Sequence, residues 1–451
     1  MVLEILAPDL VYAWDYTHIT LDNQFLYYGI RQVELDVYHD PEGGLFSTRL
    51  GSYMIGDSIY AEIEELDEPG MKILHFPDID FETHYFSFKS ALEEIKAWSN
   101  TYPLHVPIFI LVEAKSEGLE DFAEEYPELL PFLNNFPYPP VSPLEFDLEA
   151  LNVLEQEIID VFGDRMDKII TPDVVRGNYG ALEEAILDGA WPTLGESRGK
   201  ILFGLDNGGI LMEDYMDGHP SLSGRIMFVE ANPGTPEAAF LGINTPSEEI
   251  SVRVSEGYLV RTRSDTDTEE ARSGDTTRRD EALASGAHFI STDYYRPDPR
   301  HEIDTAWTDY SVRLPGNYFA RINPVSGPPD IDPLEIELVN FNKIFDFTST
   351  VNIEESDLIL PNDFILHQSY PNPFNPITTI KFDIPSVQTR GNTSVRIYDS
   401  TGRLIEILID EELEPGKHTV QWNATGFSSG VYFVRFQSDN YSQTQKLIFM
   451  K

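Results

Sequence analysis

The stretch that decides the fold is Arg31–Asp40, RQVELDVYHD, in which two carboxylates interrupt an otherwise apolar run. A β-branched run of this length favours a strand, and a strand turns alternate side chains to opposite faces. Glu34 and Asp36 therefore share one face, and the apolar residues between them share the other. Two like charges about 6 to 7 Å apart on one strand face repel each other, so a bound cation is a natural partner. The polar face of an exposed edge strand is the alternative.

Composition indicates a folded protein with one large and one smaller domain. The chain has 451 residues, of which 41% are hydrophobic. Acidic residues number 77 against 31 basic ones, for a formal net charge of −46. Such a surface repels nucleic acid and anionic membranes, so an anionic substrate needs a metal ion or local Lys and Arg side chains. The sequence has no cysteine, no predicted transmembrane segment and no recognisable signal peptide.

Short apolar runs alternate with helical patterns between about residues 25 and 325. The predicted strands are QVELDVY, MKILHF, VPIFILVEAK, DKIITP, GKILFGLD, RIMFVEA, GYLVRTR and AHFISTD. Helical spacing begins at Phe88, Leu148 and Ala181. This alternation predicts an α/β fold with parallel strands and helical crossovers. Eight strands favour a closed TIM-type (β/α) barrel, with an open sheet as the alternative.

The pattern changes after residue 330, which ends the first predicted domain at residues 1–330. SGPPDIDP punctuates the chain, and residues 331–362 have the composition of a linker. Residues 363–451 carry only strand and turn signals, with alternation in SVRIYD and VYFVRF. This pattern predicts a small all-β immunoglobulin-like sandwich.

Charged residues stand where predicted strands end. Glu113 and Lys115 share a face at the end of ILVEAK. In a barrel the carboxyl ends of parallel strands lie together, so Glu113 should join Glu34 and Asp36 at the mouth. Three carboxylates are the kind of oxygen ligand set that Ca²⁺ or Mg²⁺ prefers. Lys115 would offset the remaining negative charge or bind a phosphate oxygen.

Other strand-end residues add an acid or base and further cations. His75 ends KILHFPD, and at the same mouth it would serve as a general acid or base, whereas a structural histidine is the alternative. Lys200 opens KILFGLD, and Arg263 lies in YLVRTRSD. Both would supply positive charge for a phosphate, although Arg263 alternatively pairs with Asp265 or Asp267.

These residues lie in runs that resemble one enzyme family. YGIRQVELDVYHDPEGGLF, KILHFPDIDF, HVPIFILVEAK, WPTLGESRGKILFGLDN and GYLVRTRSDTDTEEAR are similar to the calcium-dependent bacterial phosphoinositide phospholipase C family, over about residues 10–325. That family is related to glycerophosphodiester phosphodiesterase barrels. The resemblance implies Ca²⁺ as cofactor and the following roles: Glu34, Asp36 and Glu113 as calcium ligands, His75 as one of two catalytic histidines, and Lys115, Lys200 and Arg263 as contacts for phosphate or inositol hydroxyls.

The sequence departs from the family at one place. The family's first catalytic histidine stands in an N-terminal SHNSY-like element, whose asparagine also binds the metal. In THITL, His18 is followed by Ile19, which cannot ligate a metal. The better match of DYTHITLDNQF is the stretch just before the GIRQVELD strand. We therefore expect the first barrel strand, that histidine and any signal peptide to lie upstream of Met1, which makes the site incomplete, and His18 to lie away from the predicted metal cluster.

A second resemblance covers about residues 364–451. SYPNPFNPITTIKFDIP, VRIYDSTGRLI, GVYFVRF and QKLIFMK are similar to the sorting domains of the Bacteroidetes-type type IX secretion system. This resemblance implies a secreted or surface-attached protein with the type IX secretion machinery as partner. An ordinary immunoglobulin-like appendage is the alternative.

Together these features predict a secreted, calcium-dependent phosphodiesterase acting on phosphoinositides or related phosphodiesters. A glycerophosphodiester phosphodiesterase is the enzymatic alternative, because it would use the same paired acids and lysine. From a different class, a non-catalytic surface protein that binds through calcium is also compatible with the strong negative charge.

Overall fold

The computed structural model describes residues 8–339, except 55, 128–129, 134–136 and 329–330, and most of residues 365–450, with breaks at 368, 370, 373, 385–390, 400–402, 414–415 and 439–440. The chain divides into two compact units, residues 1–347 and 348–451. This division differs from the predicted domain end at residue 330. Residues 331–339 of the predicted linker belong to the first unit, and the rest of that linker lies outside the described residues.

The first unit is built on a parallel strand array. Its strands are β1 (Gln32–Asp40), β2 (Gly70–Ile73), β3 (Ile108–Lys115), β4 (Ile201–Leu205), β5 (Met227–Val229), β6 (Phe240–Gly242), β7 (Leu259–Arg263) and β8 (Phe289–Ser291). One sheet has the order β2-β1-β3-β4-β5, and the other has the order β6-β7-β8. A parallel bridge between Glu230 and Phe240 joins the two sheets. Neighbouring strands are parallel except for the β1–β2 pair.

Three details of this array differ from the sequence prediction. The strand β2 is antiparallel to β1, and the described part of the connection between them contains the short helices Leu50–Met54 and Glu64–Asp67. The run DKIITP forms no strand: its start lies in a 3₁₀ helix, and Ile169 makes a single bridge to Ile201. The strand β6 was missed because three residues are too few for a periodic signal.

Helices surround the array and connect its strands. The α-helices of this unit are Pro8–Trp14, Leu21–Tyr27, Leu50–Met54, Glu64–Asp67, Phe88–Thr101, Leu119–Glu125, Leu130–Leu133, Leu148–Phe162, Pro172–Arg176, Leu182–Leu187, Leu194–Ser197, Gly209–Met216, Glu248–Glu256, Glu269–Ser273, Thr277–Ser285 and Pro333–Ile336. The 3₁₀ helices are Gly163–Lys168, Pro220–Leu222, Pro299–Glu302 and Pro315–Asn317. The helices predicted from Phe88, Leu148 and Ala181 are present, with starts at or one residue after those positions.

The two longest helices begin at side-chain caps. The Ser87 hydroxyl accepts a hydrogen bond from the Ser90 amide, and the Asp147 carboxylate accepts one from the Ala150 amide. Such caps satisfy an amide that has no partner within the helix. Each helix then turns an apolar face to the core, for example through Leu92 in the first of them.

The strand β3 shows how the core positions the polar groups. Residues 108–112 are completely buried, as expected for a parallel strand covered on both faces. Polarity begins only at Glu113 and Lys115, which are partly exposed at the carboxyl end of the strand. The core therefore leaves this end of the array as the place for chemistry.

The second unit contains only strands among its described elements. They are β9 (Ile365–Leu366), β10 (Ile377–Ile384), β11 (Gly391–Asp399), β12 (Leu404–Leu413), β13 (Gly416–Asn423), β14 (Gly430–Ser438) and β15 (Tyr441–Phe449). They form two antiparallel sheets, β13-β10-β9 and β12-β11-β14-β15. Phe382 and Phe436 pack between the sheets, with ring centroids 4.7 Å apart, and Trp422 is completely buried. The all-β prediction for this region is confirmed.

A buried ion pair ties the predicted linker to the first unit. Arg31 Nε lies 2.7 Å from Glu337 Oε2, and both side chains are buried. The Glu337 carboxylate also accepts hydrogen bonds from the Val106 and Val339 amides. We expect Glu337→Ala to lower the free energy of unfolding by about 3–5 kcal/mol, because it leaves a buried guanidinium unpaired.

Urea unfolding followed by circular dichroism measures this effect. The matched control is Glu335→Ala, which removes an exposed carboxylate two residues away and should change stability by about 0.5 kcal/mol or less. Equal stability of the two variants would contradict the structural role of Glu337.

Candidate metal centre and active site

The register of β1 and β3 brings the predicted carboxylates together. Asp36 lies opposite Glu113 in this parallel pair, and Glu34 lies two residues earlier on the same face. One oxygen from each of these three carboxylates lies within 4.8 Å of the others. This spacing allows the three carboxylates to bind a single divalent cation.

Lys115 and Arg261 form the shortest ion pairs with this cluster. Lys115 Nζ lies 2.9 Å from Asp36 Oδ2 and 3.3 Å from Glu113 Oε2. The buried Arg261 guanidinium donates to Glu34 Oε2 at 2.7 Å. These contacts fix the positions of the carboxylates, because Lys115 and Arg261 are themselves part of the strands β3 and β7.

The acidic cluster fits a hard divalent cation. Lys115 contacts one oxygen each of Asp36 and Glu113, and among the described residues the second oxygen of each carboxylate is left for a ligand. Burial, and then the charge of Asp36, raises the pKa of the Glu113 carboxyl. A Ca²⁺ ion bound by these three carboxylates would offset their mutual repulsion.

A histidine–aspartate pair contributes its histidine to the cavity that the three carboxylates line. His75, in the loop after β2, has Nδ1 2.6 Å from Asp80 Oδ2. Trp14 packs edge-on against the imidazole, with ring centroids 4.7 Å apart. The carboxylate thus orients the ring and leaves Nε2 available for proton transfer. Sequence reasoning selected His75 but missed Asp80, although HFPDID contains the aspartate.

Two further acids follow strands that the sequence identified. Asp206 comes directly after β4 and Glu230 directly after β5, the same placement that singled out Glu113. Burial, and then the charge of Glu34, raises the pKa of Asp206 to about 7. Arg261 Nη2 lies 4.0 Å from Asp206 Oδ2 and so links this carboxyl to Glu34. The strand-end rule that was applied to β3 would have found both acids.

The structure separates the two remaining predicted cations. Arg263 ends β7, lines the cavity and lies 4.0 Å from Glu34 Oε1. Lys200 precedes β4, and its carbonyl accepts a hydrogen bond from the Ile108 amide. This position is the amino end of the strands, opposite to Glu113. Lys200 therefore does not reach the acidic cluster, contrary to the prediction that it binds phosphate there. The reason is that Lys200 precedes its strand, whereas the cluster lies at the carboxyl ends of the strands.

The site residues line one cavity of about 1010 Å³. It contains the three clustered carboxylates, Lys115, His75 and Arg263, and it extends along β1 and β8. His18 also lines it, with Nε2 3.3 Å from the Asp293 carbonyl oxygen. Burial lowers the pKa of His18 to about 4. Its contacts are with Asp293 and neighbouring aromatic rings, not with the metal candidates.

A buried carboxyl supports the loop behind this cavity. Asp265 accepts hydrogen bonds from the Thr292 hydroxyl, the Asp293 amide and the Tyr310 hydroxyl. It does not pair with Arg263, the partner considered from sequence. Burial, and then the charge of Asp293, raises the pKa of Asp265 from 3.8 to about 7.

This pKa predicts a pH dependence of stability. Between pH 3.8 and about 7 the folded state binds more protons at Asp265 than the unfolded state does, so the free energy of unfolding falls as pH rises. We expect the contribution to be about 2–4 kcal/mol and to vanish in Asp265→Asn. Urea titrations of both proteins across this range measure it, and parallel pH profiles would contradict the assignment.

The fold and the site together define a class: an α/β protein whose parallel strands end in an acidic group suited to a divalent cation, beside a histidine–aspartate pair. The model of the Ca²⁺-dependent phosphoinositide phospholipase C family matches residues 2–324. The chain belongs to this family.

Solved structures of bacterial enzymes show a weak likeness to this chain. A calcium-dependent phosphoinositol-specific phospholipase C from Pseudomonas is 14% identical, with 65% of this chain and 89% of that chain covered and a TM-score of 0.37. A Ca²⁺-dependent phosphatidylinositol-specific phospholipase C from Streptomyces antibioticus is 15% identical, with 59% and 86% covered and a TM-score of 0.37. Likeness at this level carries no argument. No curated protein sequence matches the chain.

The second unit has its own match. The model of a secretion system C-terminal sorting domain matches residues 368–450. Dimeric latent PorU from Porphyromonas gingivalis is 23% identical over 19% of this chain and 9% of that chain, with a TM-score of 0.16. The sorting domain indicates export to the cell surface or beyond it. In the described part of the chain, every helix is too short or too polar to cross a bilayer.

Proposed function

We propose that this protein is an exported, calcium-dependent phosphodiesterase that cleaves phosphoinositides. The observation that carries the proposal is that His75, held by Asp80, lines the same cavity as the three clustered carboxylates. A binding protein needs the carboxylates but has no use for a histidine oriented by an aspartate.

We also propose that the parallel array is a TIM-type barrel that is open between β8 and β1. The bridge from β5 to β6 continues the array, and the Ser291 hydroxyl donates to Gln32 Oε1 at 2.8 Å across the opening. A curved arrangement that brings β7 and β8 close to β1 would explain why Arg261 on β7 reaches Glu34 on β1. The second unit would be an immunoglobulin-like domain that the type IX secretion machinery recognises.

In this proposal, Glu34, Asp36 and Glu113 hold Ca²⁺, which when bound stabilises negative charge on the phosphoryl oxygens. Lys115 keeps two of the ligands in position through its contacts with Asp36 and Glu113. Arg263, with 42% of its side chain exposed, supplies a guanidinium for a non-bridging phosphate oxygen.

The reaction proposed here is attack by a hydroxyl of the head group on the adjacent phosphorus. The new O–P bond forms as the bond between phosphorus and the diacylglycerol oxygen breaks, so the products are a cyclic phosphodiester and a free alcohol. The hydroxyl loses its proton and the departing alkoxide gains one. His75, held by Asp80 through Nδ1, carries one of these protons at Nε2.

Head-group release tests the proposal. The protein is incubated with Ca²⁺ and either phosphatidylinositol micelles or glycerophosphodiesters, and the phosphorus-containing products are identified by ³¹P NMR. Release of a cyclic inositol phosphate supports the proposal. Release of glycerol phosphate alone supports a glycerophosphodiester phosphodiesterase instead. Calcium-dependent adhesion to vesicles without any product supports the non-catalytic binding protein.

A further inference from the structure

The strand β4 ends before its neighbour β3 does. The backbone ladder between these two strands runs as far as Val112 and Leu205, and the Asp206 amide adds one hydrogen bond to the Val112 carbonyl at 2.9 Å. On its other side, β3 remains paired with β1 up to Lys115. The carboxyl end of β3, which carries Glu113, therefore needs a partner other than the β4 ladder on the side where β4 has ended.

The side chain of Asn207 supplies that partner. Its Oδ1 accepts a hydrogen bond from the Ala114 amide at 2.8 Å, and its Nδ2 donates one to the Ala114 carbonyl at 3.0 Å. Alternate residues of a parallel strand direct their backbone groups to the same neighbour, and in β3 the residues Ile108 and Val112 direct theirs to β4. One asparagine amide satisfies both backbone groups of Ala114, because it carries an acceptor and donors in one plane.

Ala114 stands between two residues of the acidic cluster. Glu113 precedes it and is one of the three carboxylates whose oxygens lie within 4.8 Å of one another. Lys115 follows it and forms ion pairs with both Asp36 and Glu113. Ala114 is buried, so an unpaired amide or carbonyl at this position would cost free energy. The peptide groups of Ala114 therefore set the direction in which the Glu113 and Lys115 side chains leave the strand.

We infer that Asn207 is a positioning residue, which holds the carboxyl end of β3 so that Glu113 and Lys115 keep the geometry that binds a divalent cation. The consequence for catalysis rests on the proposed function, whereas the consequence for metal binding requires no turnover. Groups that orient metal ligands without touching the metal typically change metal affinity or activity by about 10- to 100-fold when they are removed.

A local structural role in the turn after β4 is the competing explanation for Asn207. An asparagine that stabilises its own turn bonds the backbone about two residues further on. Here the two amide atoms are directed to Ala114, which lies 93 residues earlier in the chain. The side chain therefore serves the neighbouring strand rather than its own turn. The two roles differ in their consequences, because a residue that only supports the turn would affect stability and leave the metal affinity of the folded protein unchanged.

The test is a titration of the full chain with Ca²⁺ alone, by isothermal titration calorimetry, for wild type, Asn207→Ala and Asn232→Ala. We expect the Kd for Ca²⁺ to rise about 10- to 100-fold in Asn207→Ala, because Glu113 and Lys115 lose their fixed backbone. Asn232 is the matched control: it is an exposed asparagine shortly after β5, and its variant should bind Ca²⁺ as the wild type does. Cleavage of phosphatidylinositol by Asn207→Ala should be impaired at low calcium and recover as calcium is raised.

An unchanged Kd in Asn207→Ala, an equal loss in both variants, or a wild type that does not bind Ca²⁺ would overturn the positioning role. A wild type that binds Ca²⁺ but cleaves no phosphodiester would contradict the proposed function, and a loss of affinity confined to Asn207→Ala would still support the positioning role. The two failures are therefore distinguishable.

Urea unfolding establishes that each variant is folded. If Asn207→Ala does not fold, Asn207→Asp takes its place. This variant keeps an acceptor for the Ala114 amide but sets a carboxylate oxygen against the Ala114 carbonyl, so Ca²⁺ should again bind more weakly although a negative charge has been added. Unchanged or tighter binding of Ca²⁺ to Asn207→Asp would overturn the positioning role.

Discussion

Glu34→Gln should reduce calcium-dependent cleavage of phosphatidylinositol by about 10³-fold or more. The substitution keeps the shape of the side chain but removes one of three negative charges within 4.8 Å, and the interaction of a metal with phosphoryl oxygens contributes several kcal/mol to transition-state stabilisation. Ca²⁺ affinity should fall as well, because carboxylate charge sets affinity at such sites. Initial rates over a calcium titration separate the two effects.

The matched control for this prediction is Glu117→Gln. Glu117 is exposed and follows β3 closely, but it does not belong to the acidic cluster, so its variant should keep wild-type activity. Glu34 also pairs with Arg261, and urea unfolding therefore has to show that the variant is folded. A folded Glu34→Gln protein with wild-type turnover would contradict the assignment of Glu34 as a metal ligand. A wild type that binds calcium without turnover, together with weakened binding in the variant, would favour the non-catalytic class.

His75→Ala should lower kcat/KM by about 10²- to 10⁴-fold, the usual contribution of a positioned general acid or base. Asp80→Asn should lower it by about 10- to 100-fold, because the imidazole stays in the cavity but loses the carboxylate that orients it at 2.6 Å. Steady-state kinetics of the folded variants measure both losses. A purely structural histidine would lower stability in urea unfolding and leave kcat/KM of the folded variant unchanged.

His84→Asn is the control for this second prediction. His84 lines the same cavity and is exposed, and its ring contacts the His18 carbonyl rather than a carboxylate. If catalysis requires the His75–Asp80 geometry, the substitution of His84 should leave the rate unchanged. If any imidazole in the cavity sufficed, it would lower the rate. Equal rate losses in the two histidine variants would be evidence against a specific role for His75.

The strand-end carboxylates illustrate what sequence reasoning could reach. Glu34, Asp36 and Glu113 were found because each interrupts or ends an apolar run with period two, and the structure brings them together. Lys200 was misplaced because the same reasoning ignored which end of the strand it occupies. The strand β2 was expected to be parallel, but it is antiparallel to β1, and its direction has no local signal in the sequence.

Other members of the site gave no usable local signal. Asp80 lies outside the regular strands and helices, where no periodicity indicates the direction of a side chain. Tyr16 follows Asp15, whose position depends on ion pairs with Arg272 and Arg300 far along the chain. Asp293 differs from any other loop carboxylate only in what surrounds it. Long-range contacts of this kind cannot be read from spacing alone.

The amino-acid sequence by itself determined the division into an α/β part and an all-β part, the strands β1, β3, β4 and β7, and the acids of the metal candidate. Those features follow from local periodicity, in which each residue's neighbours along the chain decide its face. Only the tertiary structure decided that His75 has Asp80 as partner, that Lys200 lies at the far end, and that Tyr16 and Asp293 share one cavity. Such facts depend on which distant segments pack together, and packing is settled by the whole core rather than by any stretch of it.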